Sequence, residues 1–357
     1  MNKKRIFFIA PYPHNSAPSQ RFRFEQYFSY LEKEGYDVRL FPFLDQKTWK
    51  TLYNQGKVSS KMIGVLKSFI NRLFLLFSLH KADFVFIHRE ASHIGPPVFE
   101  WLIAKVLRKK YIYDFDDAIW LPNYSETNAR FHRLKAYWKV NYCMKWAHQI
   151  SAGNQFLADY ACQFNPNVFI IPTTIDTENY HTGNTNYHPE KLVIGWTGTH
   201  TTMRYLDELI PIFDYLNSKY DYTIQIISNE KPHFNFPNLE FIPWKKETEI
   251  SDLLNFSIGI MPLVEDQWSL GKCGFKGLQY MSLGIPTVMS PVGVNTDIVE
   301  DRKNGLIAST APEWKNGLEL LLSDAELRMK LGKNGKQTIE SRYSVHSQRL
   351  AYLSLFS

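Results

Sequence analysis

The sequence predicts an α/β protein of two domains in tandem, each with a parallel, doubly wound sheet. Its 357 residues exceed one ordinary core and suit two domains of about 150 residues or more each. Short β-rich runs alternate with longer helical patterns, which is typical of parallel sheets with helical crossovers. The alternation pauses in a turn-rich passage at 172–189 and then restarts, so the domain boundary is predicted there.

The first domain is predicted to span residues 1–175. Its expected strands are 5–10, 37–43, 83–88, 110–115 and 167–171, and helical periodicity covers 20–34, 58–80, 97–108 and 128–147. The second domain is predicted at 190–341, with strands at 191–197, 222–227, 239–242, 257–261, 286–289 and 305–308. We expect the last segment, 342–357, to form a helix that packs back on the first domain, because its aromatic and leucine residues need a large apolar partner.

Composition excludes several protein classes. A chain with 44% hydrophobic and 21% charged residues is typical of folded proteins. The net charge of +6 suits an anionic partner or an ordinary surface balance, and no basic stripe with a recognised module points to nucleic acid. Cys143, Cys162 and Cys273 are widely separated, so neither a disulfide framework nor a zinc site is predicted, and a cytoplasmic location fits.

Neither a signal peptide nor a transmembrane helix is predicted. The first apolar run is short and interrupted by proline, which favours a strand. The longest apolar stretch, 70–79, carries Asn71 and Arg72 and falls far short of the roughly 20 residues that span a bilayer.

The most informative segment begins with glycines, Gly271 and Gly274, and continues as a helical pattern. Free backbone N–H groups at a helix start, together with the helix dipole, favour a phosphate. Lys272 and Lys276 are four residues apart on one helix face and would add charge-assisted hydrogen bonds, and Gln279 lies close enough to reach a ribose hydroxyl. The alternative is that both lysines only solvate a helix face.

This segment, followed by Ser290-Pro291-Val292-Gly293-Val294-Asn295 and Asn304-Gly305, resembles the donor-binding region of retaining glycosyltransferases of the large group 1 family. The resemblance covers most of the C-terminal half. It implies the GT-B fold, two Rossmann-like domains facing each other across a cleft, with a UDP- or GDP-sugar as donor and no cofactor. The family's acidic pair is replaced here by Gly271 and Gln279. The donor contacts expected in this segment are Gly271, Lys272, Gly274, Phe275 and Gln279.

Trp196-Thr197-Gly198-Thr199-His200 follows a predicted strand and resembles the family's first glycine turn. The resemblance implies diphosphate contacts from the amides of Gly198 and Thr199 and from Arg204. A plain turn between strand and helix explains Gly198 equally well.

Three carboxylates, in Tyr113-Asp114-Phe115-Asp116-Asp117-Ala118, lie at the carboxyl end of a predicted strand, where open α/β sheets place ligands. We predict that Asp116 and Asp117 flank the reacting sugar and that Lys276 stabilises the departing diphosphate. The family often has a His-Asp pair where Phe115-Asp116 stands here. Carboxylates also suit a divalent cation, but this fold class usually works without one, so no metal is predicted.

Three further residues are predicted on the acceptor side. His88 and Arg89 end the preceding strand, and Arg89 would suit an anionic group. Arg21, in the loop after the first strand, would reach a diphosphate. The alternatives are a structural His88 and a solvent-exposed Arg21.

Segments 58–80 and 128–147 mix basic with apolar residues, a pattern found in helices at a lipid interface. The alternative, which the sequence favours, is a sheet-covering helix with a basic outer face. A polyprenyl-linked acceptor at the inner face of a bacterial membrane would favour the first interpretation.

The predicted function is transfer of a sugar from a UDP- or GDP-sugar to a hydroxyl of a glycan or lipid-linked saccharide. The resemblance implies retention of configuration and a role in bacterial surface polysaccharide or glycoconjugate synthesis. The alternative is a non-catalytic nucleotide- or saccharide-binding protein. A nicotinamide-dependent oxidoreductase is disfavoured, because Pro11-Tyr12-Pro13-His14 stands where a GxGxxG turn is needed.

Overall fold

The computed structural model describes residues 3–52, 58–122 and 132–357. It divides into an N-terminal unit, Met1–Thr173 with Arg349–Ser357, and a C-terminal unit, Thr174–Gln348. The sequence places the boundaries instead at 175, 190 and 342. The passage before 190 packs with the C-terminal unit, because Thr185 donates from its backbone to Leu283 O (2.9 Å) and from Oγ1 to Phe256 O (2.6 Å).

Within the described residues, the N-terminal unit has a six-stranded parallel sheet in the order β2-β1-β3-β4-β5-β6. Its strands are β1 Lys4–Ala10, β2 Tyr36–Pro42, β3 Phe84–His88, β4 Tyr111–Phe115, β5 Gln149–Ala152 and β6 Val168–Ile170. The α-helices are α1 Pro18–Arg23, α2 Phe28–Lys33, α3 Gln46–Leu52, α4 Val58–Ser78, α5 Val98–Trp101, α6 Lys139–Trp146 and α7 Gln155–Cys162. Helices on both faces bury the central strands, as expected for a parallel sheet.

Some predicted helices are divided in the structure. The 20–34 region contains α1, the 3-10 turn Glu25–Tyr27 and α2, and the 97–108 region contains α5 and the π-helix Leu102–Val106. In the 128–147 region, residues 128–131 lie outside the described part. Ala136, at φ +50°, separates the 3-10 turn His132–Lys135 from α6, because a left-handed residue cannot continue a right-handed helix.

The C-terminal unit, whose residues are all described, has a six-stranded parallel sheet in the order β12-β11-β10-β7-β8-β9. Its strands are β7 Leu192–Gly198, β8 Tyr222–Ser228, β9 Leu239–Pro243, β10 Ile258–Met261, β11 Thr287–Met289 and β12 Leu306–Ile307. The α-helices are α8 His200–Met203, α9 Ile210–Asn217, α10 Glu249–Leu253, α11 Gln267–Leu270, α12 Phe275–Ser282, α13 Asn295–Ile298, α14 Ala311–Ser323, α15 Ala325–Thr338 and α16 Val345–Ser354. The predicted α/β class is confirmed.

The end of α16 belongs to the N-terminal unit. Tyr352 is fully buried and stacks on Tyr27 with ring centroids 4.0 Å apart. Phe356 packs near the Phe84 ring at 5.8 Å, and Leu355 O accepts a hydrogen bond from Gln149 Nε2 at 2.6 Å. The last residues of the chain therefore complete the core of its first unit.

Helix α4 differs most from its prediction. Its outer face is apolar rather than basic: Phe77 is 77% and Met62 68% exposed, whereas Arg72 is buried. Among the described residues, Ser59–Lys81 is long and apolar enough to cross a membrane, with a mean hydropathy of 1.6 and only 22% of that window buried. The predictions of a basic outer face and of no membrane-length helix failed for one reason. Polar residues interrupt the apolar ones along the chain and gather on one side only after the helix forms.

The strand orders locate the ligand sites. Open α/β sheets bind ligands at the carboxyl ends of strands, where the strand order reverses. That point lies between β1 and β3 in the N-terminal unit and between β7 and β10 in the C-terminal unit.

Candidate functional site

The end of β7 and the start of α12 meet at Gly198. A Cβ atom on Gly198 would lie 2.8 Å from Cε of Lys276 and 2.6 Å from the Trp196 ring, so the lysine packs directly against the glycine backbone. The Lys276 ammonium lies 5.5 Å from the centroid of the Trp196 ring. Residues far apart in the sequence, Gly198 and Lys276, are thus brought together where the strand order reverses.

Gly274 provides the turn into α12. It is the N-cap residue with φ +68°, and a Cβ there would lie 2.2 Å from Ile298 Cδ1, so both conformation and space require glycine. Glycine has no side chain with which to cap α12. The helix start therefore has no side-chain cap, as at helix ends that bind anions.

Two more predicted donor residues are held nearby by aromatic rings. Lys272 Nζ lies 4.6 Å from the centroid of the Trp268 ring. Arg204 Nη2 donates to Tyr205 Oη (3.5 Å), which in turn lies 3.3 Å from Ser269 Oγ on α11. Arg204 is therefore linked to the helix that leads into Gly271 and Lys272. Thr199, the exposed N-cap residue of α8, bonds to Thr201 Oγ1 at 2.8 Å.

Tyr280 joins the two halves of this arrangement, and the sequence analysis missed it. Its buried hydroxyl accepts a hydrogen bond from the Thr197 backbone N–H at 2.9 Å, directly before Gly198. A Cβ on Gly259 would lie 2.5 Å from its ring. Burial raises the pKa of Tyr280, so the hydroxyl stays protonated. The signal in the sequence was its place in α12, next to Gln279.

Gln279 requires a correction, because it is only 1% exposed and does not lie at an open surface where it could reach a ribose. Its Nε2 donates to Glu249 Oε1 (3.4 Å) and lies 3.3 Å from His181 Nε2. Glu249 also accepts from Tyr180 Oη (2.8 Å) and Trp244 Nε1 (3.1 Å). The amide turns inward because a buried polar group needs partners, and Glu249 supplies one.

In the N-terminal unit, Arg89 holds the two predicted catalytic carboxylates. Its Nε donates to Asp116 Oδ1 (2.7 Å) and its Nη2 to Asp117 Oδ2 (2.5 Å). Arg89 has φ +59°, and its backbone N–H donates to Asp114 O at 2.7 Å. Asp116, Asp117 and Arg89 thus form one charged cluster at the end of β3 and β4. Among the described residues, no group of three or more His, Cys, Asp or Glu has a metal-binding arrangement.

His88 lies inside the domain, so its predicted acceptor-side role is corrected in favour of the structural alternative. It is fully buried, with Nδ1 2.7 Å from Asp114 Oδ2. Asp114 also accepts from Arg23 Nη2 (2.5 Å) and Ser151 Oγ (2.7 Å). Burial alone would raise the pKa of Asp114, but Arg23 and His88 outweigh it and hold that pKa well below its usual value.

Arg21 is 6% exposed, with its guanidinium 4.9 Å from the centroid of the Phe22 ring. The solvent-exposed alternative is therefore wrong. The Arg21 side chain is also not accessible enough to reach a ligand.

A polar recess lies where the strand order of the N-terminal sheet reverses. Its lining residues come from the loops after β1, β3 and β4, from the region before α6 and from the first turn of α6: Tyr12, Arg89, Glu90, Ile119, Lys135, Tyr137, Lys139 and Val140. Glu90 accepts from Lys139 Nζ (2.8 Å) and from His93 Nδ1 (3.0 Å). Burial would raise the pKa of Glu90, but Lys139 and His93 lower it to about 2. Burial also lowers the pKa of Lys135. Three basic side chains line the recess, but Arg89 is paired with Asp116 and Asp117 and Lys139 with Glu90, so the positive and negative charges balance.

Comparison with known families identifies part of the C-terminal unit. Residues 236–338 match the family described as glycosyl transferases group 1. These residues are similar to a group 1 glycosyl transferase domain. They include Gly271, Lys272, Gly274, Phe275, Lys276 and Gln279, whereas β7 with Gly198 precedes the matched residues. A search of curated protein sequences found no match.

Solved structures show the fold around the matched residues. Sucrose-phosphate synthase from Thermosynechococcus elongatus superposes with a TM-score of 0.72 at 12% identity, over 99% of this chain and 98% of that one. A glycosyltransferase from Rickettsia africae superposes with a TM-score of 0.69 at 12% identity, over 100% of this chain and 98% of that one. Anabaena HepE in complex with UDP and glucose gives 0.63 at 14% identity, over 99% of both chains. The predicted GT-B fold, with two Rossmann-like domains, is confirmed.

Proposed function

We propose that this protein is a glycosyltransferase that moves a sugar from a UDP- or GDP-sugar to a hydroxyl of a glycan or lipid-linked saccharide. The observation that carries the proposal is the contact of Lys276 with the Gly198 backbone at the start of α12, inside a unit that contains residues similar to a group 1 glycosyl transferase domain. Strand β7 and helix α12 of a Rossmann-like unit meet there, and the start of a helix at the carboxyl end of such a sheet is a common phosphate site.

The chemistry follows from the charges. In the transfer, the bond from the sugar's anomeric carbon to the diphosphate breaks, the acceptor oxygen bonds to that carbon, and the hydroxyl proton is released. Negative charge grows on the departing diphosphate. Lys276, Lys272, Arg204 and the amides near Gly198 would stabilise it, the effect that is usually largest in such reactions. HepE has been crystallised with UDP-glucose, which supports a nucleotide-sugar donor here.

The acceptor side is assigned to the charged cluster of the N-terminal unit. Asp116 and Asp117 would stabilise the electron-poor sugar, and Arg89 holds both carboxylates in place. We further propose retention of configuration, no metal or cofactor, a cytoplasmic location, and a role in bacterial surface polysaccharide or glycoconjugate synthesis. The resemblance to group 1 enzymes supports these assignments.

The test is a thermal-shift screen with UDP, GDP, ADP and their sugars, since a ligand that binds the native state raises its apparent stability. We expect a uridine or guanosine diphosphate to raise the unfolding temperature of the wild type. The Lys276→Ala variant should lose most of that shift, whereas the exposed Lys333→Ala control on α15 should keep it. An unchanged shift in Lys276→Ala would contradict the phosphate assignment.

The second candidate is a non-catalytic nucleotide-binding protein. It is favoured by the missing acidic pair, since Gly271 replaces one member and Gln279 is buried in place of the other. The two functions differ in turnover. Release of UDP or GDP from the sugar nucleotide, faster than in a protein-free solution, identifies the enzyme, whereas binding without release identifies the second candidate.

A further inference from the structure

Helix α4 presents large apolar side chains to the outside of the N-terminal unit. Seven of its described side chains are between 44% and 77% exposed, and we call them the α4 apolar face: Met62, Ile63, Leu66, Ile70, Leu73, Phe74 and Phe77. At roughly 100° per residue, these seven positions fall within an arc of about 120°. They form one continuous stripe along the helix.

The side that contacts the domain combines polar residues with the buried Leu75. Arg72 is 3% exposed and donates to the carbonyls of Ala91 (2.9 Å), Phe41 (2.9 Å) and Ala10 (3.2 Å). Ser68 is also buried. The outer face departs from the usual pattern of a helix on a water-soluble domain, in which polar residues face water. Leaving seven large apolar groups in water is unfavourable, so the stripe calls for an apolar environment.

An apolar cavity adjoins the stripe. It has a volume of about 430 Å³ and is lined by Phe69, Leu73, Ile94, Gly95, Pro96, Val98, Phe99 and Leu134. Leu73 belongs both to the cavity wall and to the α4 apolar face, so the two surfaces are continuous. Val98 and Trp101, on the neighbouring α5, are 47% and 44% exposed. The volume lies within the range of small-molecule sites, and the lining offers only hydrocarbon contacts.

We propose that the α4 apolar face lies in the interface of an anionic lipid bilayer, with the adjoining cavity open to a lipid hydrocarbon chain. The inference is independent of the proposed sugar transfer. It commits to lipid rather than protein because α4 combines this stripe with Lys61 and Lys67 and has no acidic residue. Basic residues beside an apolar helix face are the pattern of helices that lie on anionic membranes.

The flanking charges fit that position. Lys67 falls just outside the arc of the stripe, and its side chain is 62% exposed in an ion pair with the exposed Asp45 (2.9 Å). A lysine there can extend its ammonium to lipid phosphates while its methylene groups remain in the apolar layer. Helix α4 is long enough to span a bilayer, but the three Arg72 hydrogen bonds fix it to the domain. The helix therefore lies on the membrane and does not cross it.

The test is flotation of the full chain with vesicles of phosphatidylcholine alone and of phosphatidylcholine mixed with phosphatidylglycerol. We expect the wild type to float with the mixed vesicles and less with the neutral ones. The variant Ile63→Ser with Phe74→Ser and Phe77→Ser should reduce the bound fraction at least tenfold. A matched control changes three exposed apolar residues of the same unit outside α4, Phe169→Ser, Ile170→Ser and Leu350→Ser, and should bind as the wild type does.

Three results would overturn the proposal. The first is a flotation result that does not depend on the α4 apolar face. Either the wild-type protein floats with neither kind of vesicle, or the α4 variant floats as well as the control variant while both variants keep their unfolding temperatures. The second is membrane-bound protein that resists alkaline carbonate extraction, which would indicate a spanning helix. The third is a wild-type oligomer that the α4 substitutions dissociate without any vesicle binding, which would make the face a contact between copies of the chain.

Discussion

At the scale of the residue, buried charges organise the end of the N-terminal sheet. Asp114 is fully buried and accepts hydrogen bonds from Arg23 and Ser151, with His88 Nδ1 2.7 Å away. Removing one partner of such a network leaves an uncompensated charge, which costs about 3–5 kcal/mol. His88 and Arg23 thus support the strand ends that carry Arg89 and the acidic pair.

Glu90 gives a prediction about pH. Its pKa in the folded protein is about 2, below its ordinary 4.5, so its contribution to stability is present above pH 4.5 and is lost as the pH falls towards 2. The contribution of Glu90 to the free energy of unfolding is on the order of 2 kcal/mol, which is 1.36 kcal/mol per pKa unit reduced for solvent screening. In urea unfolding across this pH range, the Glu90→Gln variant should lose less unfolding free energy than the wild type as the pH falls. An exposed control, Glu240→Gln, should parallel the wild type.

At the scale of the element, Tyr280 fixes the start of α12 against the end of β7. Its hydroxyl is 2.9 Å from the Thr197 N–H, and the next residue is Gly198. The spacing between Lys276 and Gly198 therefore depends on a hydrogen bond that neither residue makes. We regard Tyr280 as a positioning residue.

Tyr280→Phe is expected to cost about 1–3 kcal/mol, because a buried N–H loses its acceptor, and also to weaken nucleotide binding. The matched control is Tyr222→Phe, which removes another buried hydroxyl of the same unit, one that donates to Phe213 O at 2.7 Å. Both variants should be less stable in urea. Only Tyr280→Phe should raise the Kd for the nucleotide diphosphate found in the screen, and equal Kd values in the two variants would refute a positioning role.

At the scale of the whole molecule, the chain builds one unit from both of its ends. Tyr352 is the most deeply buried residue of α16. Its ring stacks on the Tyr27 ring in the N-terminal core, with the ring centroids 4.0 Å apart. Replacing a large buried aromatic side chain by alanine costs about 3–5 kcal/mol. The cost should fall on the N-terminal unit alone.

Scanning calorimetry of Tyr352→Ala should therefore show a lower unfolding temperature for one transition and an unchanged one for the other. The control is Leu350→Ala on the same helix, whose side chain is 68% exposed and should have no effect. A uniform shift of both transitions would mean that α16 stabilises the units jointly.

The sequence predicts the strands of both sheets except β5, which it missed, and it predicts the site less well. Central strands such as β1 are buried on both faces and therefore form short apolar runs that alternate with helices. Gly198 and Lys276 each stand in a recognisable motif, but only the fold joins them. The partners of His88 and Gln279 are 26 and 30 residues away, and local pattern carries no information about such pairs. Periodicity likewise places the α4 apolar residues on one side but does not tell whether that side faces inward.

The return of the last residues to the first unit sets an order of assembly. During synthesis on the ribosome, the strands of the N-terminal sheet emerge first, yet Tyr352 and Phe356 follow only after the complete C-terminal unit has been translated. Phe8, Phe84 and Phe86 pack near the Phe356 ring in the finished protein, so part of that core stays uncovered throughout translation. The unit that is translated second can thus finish folding first, and the nascent chain keeps part of its aromatic core uncovered until α16 has been translated.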